Sequence, residues 1–157
     1  MPTPEFVLDL REKVGHDLLW MSGVTAIVLD RAHENLLVVR RTDNGVWTPV
    51  TGIIDPGEQP AAAAVREVAE EADVTARPVR LLEVRTLPVM TYPNGDRAQY
   101  LDLCFLLEHV EGDPFPADGE NTEARWAPVD ELPDMPGRFR EQLDLALSGR
   151  AEAAFRA

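Results

Sequence analysis

Gly52-Ile-Ile-Asp-Pro-Gly-Glu58-Gln-Pro-Ala-Ala-Ala-Ala-Val-Arg66-Glu67-Val-Ala-Glu70-Glu71-Ala-Asp73-Val74 is the stretch on which the reading of this chain turns. Gly52 to Gly57, with Asp55-Pro-Gly57, reads as a loop. A helix is predicted from Pro60 to Ala72. Proline suits the first turn, where its missing N–H costs nothing, and four alanines, the best helix formers, follow it. Ala61, Ala64, Val65, Val68 and Ala72 fall at spacings that make one apolar stripe. Glu67, Glu70 and Glu71 stand at i, i+3 and i+4, so their carboxylates are expected to converge on another face. Three like charges so placed repel one another, and a divalent cation, which takes oxygen ligands, would offset that repulsion. Three glutamates alone would more simply make a solvated helix face; the residues around them argue otherwise.

Upstream, Glu5 to Val14 repeats apolar residues every four positions (Phe6, Leu10, Val14) and predicts a short amphipathic helix. Gly23 to Asp30 and Leu36 to Arg41 are β-branched or apolar runs separated by Arg31-Ala-His-Glu-Asn35, and predict a hairpin. Downstream, strands are predicted over 79–91 and 98–108, with Tyr92-Pro-Asn-Gly-Asp96 as the turn between them. Residues 111–122 read as a polar loop, Glu123 to Ala127 as a short strand and Arg138 to Leu147 as a closing helix. Residues 1–20 read as an N-terminal extension and 148–157 as a loose tail. Hairpins with two or three helices imply α/β layers around a mostly antiparallel or mixed sheet. No repeat or linker breaks the 157 residues, the usual size of one domain, so a single domain over 1–157 is expected.

Composition narrows the functional classes. The formal net charge is −13, a field that repels DNA and RNA but admits a small phosphorylated substrate accompanied by cations. No apolar run is long enough to span a membrane, and Met1-Pro-Thr-Pro-Glu-Phe6 lacks the basic-then-apolar order of a signal peptide. A cytoplasmic location is expected. Cys104, the single cysteine, sits in an apolar strand and reads as a packed thiol rather than a nucleophile.

Gly52, five residues, Glu58, seven residues, then Arg66-Glu67-Val68-Ala69-Glu70-Glu71-Ala72-Asp73-Val74 resembles the signature of the Nudix hydrolase superfamily, the MutT-like pyrophosphohydrolases. Six fixed matches arise by chance on the order of once in ten million windows. Two positions depart. Asp73 stands where the family usually has glycine, and Thr51 where many members have a second glycine. Asp tolerates the left-handed conformation that glycine eases there. The approach through Trp47-Thr-Pro and the acidic loop leading to Arg125-Trp126-Ala-Pro-Val-Asp-Glu-Leu-Pro133 extend the likeness over most of the chain.

The resemblance implies an α-β-α sandwich with a mixed central sheet and a loop-helix-loop catalytic motif. It implies hydrolysis of a nucleoside diphosphate linked to another moiety: ADP-ribose, a nucleotide sugar, a dinucleoside polyphosphate or a nucleoside triphosphate. It also implies Mg²⁺ as cofactor, with Mn²⁺ as substitute. Glu67, Glu70, Glu71, the Gly52 carbonyl and Glu120 would be metal ligands. Glu67, Glu70, Arg66 and Glu120 would be catalytic, Arg66 orienting the glutamates and a carboxylate taking the proton of the attacking water. Glu120, six residues before Trp126, resembles the additional metal-binding glutamate of the mutator-type enzymes; Glu123 reads rather as an edge-strand charge. Glu58 would pair with Arg66 and tie loop to helix.

Arg40, Arg41 and Trp47 are candidate substrate contacts, although a strand end explains the arginines equally well and a core position explains the tryptophan better. Pro88 and Tyr92 lie where subfamilies carry markers, and they point to different subfamilies. His16, His33 and His109 have no metal-ligand spacing. A small-molecule nucleotide is the expected partner, with no nucleic-acid polymer and no membrane, and a homodimer could form through the N-terminal segment. The alternative reading is a non-catalytic nucleotide-binding regulatory module on the same fold, against which the full set of motif glutamates argues. An isopentenyl diphosphate isomerase is disfavoured, because Cys104 is the wrong cysteine in the wrong place.

Overall fold

A computed structural model describes residues 3–157; Met1 and Pro2, the first residues of the opening segment read above, lie outside the described residues. Among these, three helices and nine strands follow one another as α1 (Glu5–Val14), β1 (Leu19–Leu29), β2 (Asn35–Arg41), β3 (Trp47–Thr48), β4 (Val50–Ile53), α2 (Pro60–Ala72), β5 (Thr75–Thr86), β6 (Met90–Thr91), β7 (Arg97–Glu111), β8 (Asn121–Pro128), α3 (Gly137–Leu147) and β9 (Ala154–Phe155). The strands form one mixed sheet ordered β3-β2-β1-β7-β5-β9, with β4 on β1, β6 on β7 and β8 on β2.

The side-chain period of two assigns residues to opposite faces. Val24, Ala26 and Val28 of β1, with Leu37 and Val39 of β2, pack against Ala63, Ala64, Val68 and Ala72 of α2. Ile27 and Leu29, with Leu36 and Val38, face the other way and pack against Phe139, Leu143 and Ala146 of α3. Helix α1 lies on this second side too, Val7 meeting Met21 and Ala98 near the start of β1 and β7. The result is the expected α-β-α sandwich.

The hairpin expected from residues 23–41 holds only at its turn. Asp30 accepts hydrogen bonds from the backbone N–H groups of Glu34 and Asn35 and from the Asn35 amide, and Leu29 pairs with Leu36. Beyond that pair the strands splay. β4 takes the edge of β1 from Gly23 to Ala26, β3 and β8 take β2, and β1 runs parallel to β7 along all of its length. The strand expected over 79–91 is two pieces, because it begins at Thr75 and stops at Thr86, two residues before Pro88. Proline supplies no N–H to a ladder. The polar loop is shorter than expected, since β7 continues to Glu111 and β8 begins at Asn121.

Two boundary expectations are corrected. Residues 3–20 are not a separate extension: β1 begins at Leu19, and the Arg11 guanidinium donates to the carbonyls of Gly15, Asp17 and Arg97. The tail is not loose, because Ala154 and Phe155 add a short parallel strand to β5 and Arg156 pairs with Glu141.

Candidate active site

Helix α2 is capped as its sequence suggests. Pro60 opens it after Gln59, and Asp73 closes it in the left-handed region at φ 54, ψ 31. Its last carbonyls find partners in the acidic loop: the N–H of Phe115 donates to Ala72 O and that of Ala117 to Glu71 O. Gly112 makes this approach feasible, because a Cβ there would stand 2.6 Å from the Asp73 carbonyl oxygen. The loop thus straps the end of α2 and leads directly into Glu120 and Asn121.

The helix turns Ala64, Val68 and Ala72 inward as its pattern predicts, with Val65 at the margin of the same core, and adds residues that the pattern left out. Ala63 and Ala64 are buried, while Ala61 and Val65 are only half-buried. The three glutamates, on one side of the helix, differ in burial. Glu67 and Glu71 are buried beside the sheet, 1% and 5% exposed, and Glu70 projects outward. Room for Glu67 comes from Gly52 on β4: a Cβ at residue 52 would lie 2.1 Å from the Glu67 carboxyl carbon. Glycine is therefore required at 52 by a side chain fifteen positions away in the sequence.

Arg66 organises the acidic groups. Its Nε and Nη2 donate to the two oxygens of Glu58, each at 2.8 Å. Its Nη1 donates to Glu67 at 2.9 Å and to Glu70 at 3.2 Å, and Nη2 also reaches the Ile53 carbonyl. Glu58 in turn accepts from the Asp55 N–H, so loop and helix are joined through one bidentate pair. The guanidinium holds the Glu58 carboxyl below its ordinary range. Burial pushes Glu67 up to about 7, against the pull of Arg66. Burial likewise pushes Glu71 up to about 7, opposed by a hydrogen bond from Asn121 and by the charge of Arg41, and aided by Asp118.

Asn121, buried at the start of β8, donates from Nδ2 to Glu71 at 2.9 Å. Sequence reasoning passed over it; its place next to Glu120 was the available signal. Glu120 is half-buried, and its carbonyl accepts from the Thr42 N–H. Arg41 pairs with Asp43 and Arg40 with Glu123. Trp47 packs on the α3 side of the sheet, away from the motif helix, with the Arg125 guanidinium over its ring.

The donor set is of the kind a hard divalent cation takes. Two buried carboxylates one turn apart face one guanidinium and one amide, and burial disfavours their anionic forms without a further cation. Among the described residues no three or more His, Cys, Asp or Glu side chains form a ready cage. Mg²⁺ needs none, since one or two carboxylates, water and substrate phosphates usually hold it. No helix among the described residues is long and apolar enough to cross a membrane.

This fold with a glutamate-bearing helix has known counterparts. The model of the NUDIX domain matches residues 20–146, and the chain belongs to the Nudix hydrolase superfamily. Members of this family generally use divalent metal ions. The NAD-capped RNA hydrolase NudC of Deinococcus radiodurans is 37% identical over 106 residues, 66% of this chain and 35% of that protein. NudC of Pseudomonas aeruginosa is 32% identical over 133 residues, 82% of this chain and 45% of that protein. The chain thus spans less than half the length of these relatives. Among solved structures, a UDP-X diphosphatase superposes with TM-score 0.69 at 19% identity, covering 96% of this chain and 73% of that one. A NUDIX hydrolase from Nitrosomonas europaea superposes with TM-score 0.68 at 23% identity, covering 86% and 93%. These two likenesses show the shared fold.

Proposed function

We propose that the chain is a divalent-cation-dependent pyrophosphohydrolase, working with Mg²⁺ or with Mn²⁺ in its place, that splits the pyrophosphate bond of a nucleoside diphosphate linked to a second group. The observation that carries this reading is the pair of buried glutamates on α2, Glu67 against Gly52 and Glu71 against Asn121, beside a loop fixed by Glu58 and Arg66. Glu67, Glu70, Glu71, the Gly52 carbonyl and Glu120 are the proposed metal ligands. A bound divalent cation supplies charge neutralisation at the phosphoanhydride and lowers the pKa of water.

The protein groups do the rest. Arg66 keeps Glu67 and Glu70 in fixed orientations through charge-assisted hydrogen bonds. Asn121 does the same for Glu71. Glu70, outward on α2, and Glu120, at the end of the strap, are the carboxylates proposed to accept the proton of the attacking water. Arg41, whose charge already draws on Glu71, is the arginine proposed to meet substrate phosphate.

The substrate is proposed to be a small nucleotide with a diphosphate bridge. Two relatives are named as hydrolases of NAD-capped RNA, and NAD carries such a bridge between two nucleotides. A net charge of −13 opposes a long RNA and favours the free nucleotide. The test is a panel of NAD, ADP-ribose, nucleotide sugars, dinucleoside polyphosphates and nucleoside triphosphates with Mg²⁺ or Mn²⁺, with both products identified. Glu70→Gln is expected to abolish cation-dependent turnover and leave the melting temperature unchanged. Turnover of the variant at the wild-type rate would overturn the assignment.

A further inference from the structure

On the α1 side of the sheet, next to the motif but outside it, lies a cavity of about 360 Å³ whose lining includes Val7 and Arg11 of α1, Met21 of β1, Ile53 of β4, and Tyr92 and Tyr100 of the β6–β7 hairpin. We propose that this cavity binds the planar heteroaromatic ring of the substrate nucleotide, stacked on Tyr100, and so makes Tyr100 a specificity-determining residue; the inference rests on the pyrophosphohydrolase reading above.

Three observations carry it. First, the cavity borders the motif across a single glycine, where the Tyr100 ring and the Gly52 backbone close on the same strand. A point where a Cβ of Gly23 would stand is 3.3 Å from Cδ1 of Tyr100 and 3.2 Å from the Gly52 carbonyl oxygen. The tyrosine ring and the backbone oxygen proposed as a metal ligand therefore flank one glycine on β1. Ile53 joins the two sites as well: its side chain lines the cavity while its carbonyl accepts from Arg66. Second, the walls are already fixed. Arg11 ties α1 to the Arg97 carbonyl at 2.7 Å and lies 3.6 Å from Asp96, and His16 meets Asp96 at 2.7 Å. A preformed wall spares the ordering cost of closing on a ligand. Third, the chemistry suits a flat ring with a polar edge. Met21 and Val7 supply apolar surface, and the Tyr92 and Tyr100 hydroxyls stand 3.1 Å apart at the rim. A cavity of this size holds a nucleoside.

The test is nucleotide binding by the full chain, measured by calorimetry in EDTA so that hydrolysis plays no part, with AMP, nicotinamide mononucleotide and ribose 5-phosphate, which lacks the heteroaromatic ring, as probes. Wild type and Glu70→Gln are expected to bind at least one ring-bearing probe alike and more tightly than ribose 5-phosphate. Tyr100→Leu is expected to weaken that binding about ten-fold or more and to leave ribose 5-phosphate unchanged; Tyr100→Phe is expected to keep most of it. Thr3→Trp, at the exposed rim of the cavity, blocks the ring without touching the sheet and is expected to give the same selective loss if Tyr100→Leu does not fold. Equal weakening of both kinds of probe, or no weakening in either variant, would overturn the proposal. Failure of the hydrolase reading shows separately, as wild-type turnover by Glu70→Gln.

Discussion

Gly52 shows how one missing side chain can organise a site. Its α-carbon faces the Glu67 carboxylate, and a methyl group there would overlap both Cγ and the carboxyl carbon of that glutamate. Glu67 is buried and held by Arg66, so it has nowhere to retreat without breaking that bond. Gly52→Ala is expected to cost about 1–3 kcal/mol of stability through overpacking, read by urea unfolding. It is also expected to lower kcat/KM by about a hundred-fold, the usual consequence of displacing a positioned group by an ångström. A variant with normal kcat/KM would show that Glu67 need not sit where it does. At this scale the sequence was informative wherever chemistry depends on local spacing: Gly52, Glu58, Arg66 and the glutamates announce themselves by their intervals. Asn121 did not, because its contact with Glu71 bridges fifty positions and no local spacing encodes it.

Loop and helix behave as one element because Glu58 and Arg66 meet in two parallel hydrogen bonds. Arg66 holds the folded-state pKa of Glu58 below its unfolded value. The stabilisation is therefore complete above the unfolded carboxylate range and is lost as pH falls through the lowered folded value. Glu58→Gln is expected to destabilise by about 1–2 kcal/mol at pH 7, and the gap to wild type should close on acidification, as followed by denaturant unfolding from pH 7 to pH 3. A gap independent of pH would mean that the pair acts by packing rather than by charge. The helix itself was legible, its expected span agreeing with the observed Pro60–Ala72, since proline and alanines encode it locally. Its inward stripe was legible through Ala64, Val68 and Ala72, but the burial of its glutamates was not. The buried position of Glu67 and Glu71 depends on a glycine in β4 and an asparagine in β8, both supplied by the sheet.

Across the whole molecule the two faces of the sheet are filled differently. The α2 side is an apolar cluster bordered by the motif glutamates and Asn121. The α3 side carries a buried polar group: Thr25 donates to Asp102 at 2.8 Å, and Gln142 Nε2 donates to both Asp102 and Glu83. Gln142 Oε1 has no partner among the described residues. Burial raises the Asp102 carboxyl, with Arg138 opposing. A raised acid contributes stability that is present below its unfolded pKa and lost as pH rises through the folded value. Asp102→Asn, which keeps the shape, is expected to become more stable relative to wild type as pH rises from 4 to 8 in thermal melts; a constant difference would refute this. Layers of helix around a mixed sheet were legible from the strand and helix patterns, and the sandwich from the family resemblance, whereas the splay of β1 from β2 and the parallel pairing of β1 with β7 were not. Strand order is decided by contacts between distant segments, which local pattern does not carry. The same reason hid the final strand: Ala154 and Phe155 have no pattern of their own and take their form from β5.

Strand β1 has a further consequence. Gly23 faces the ring of Tyr100, and Val24, its neighbour, faces the core beneath α2. One peptide unit thus separates the nucleotide-facing side of the sheet from the side that carries the glutamates. A slip of β1 by a single residue against β4 and β7 would exchange these environments, setting valine against the tyrosine and leaving a void under the helix. The eleven paired positions that lock β1 to β7 therefore act as a vernier, keeping two chemically distinct surfaces in step to within one residue.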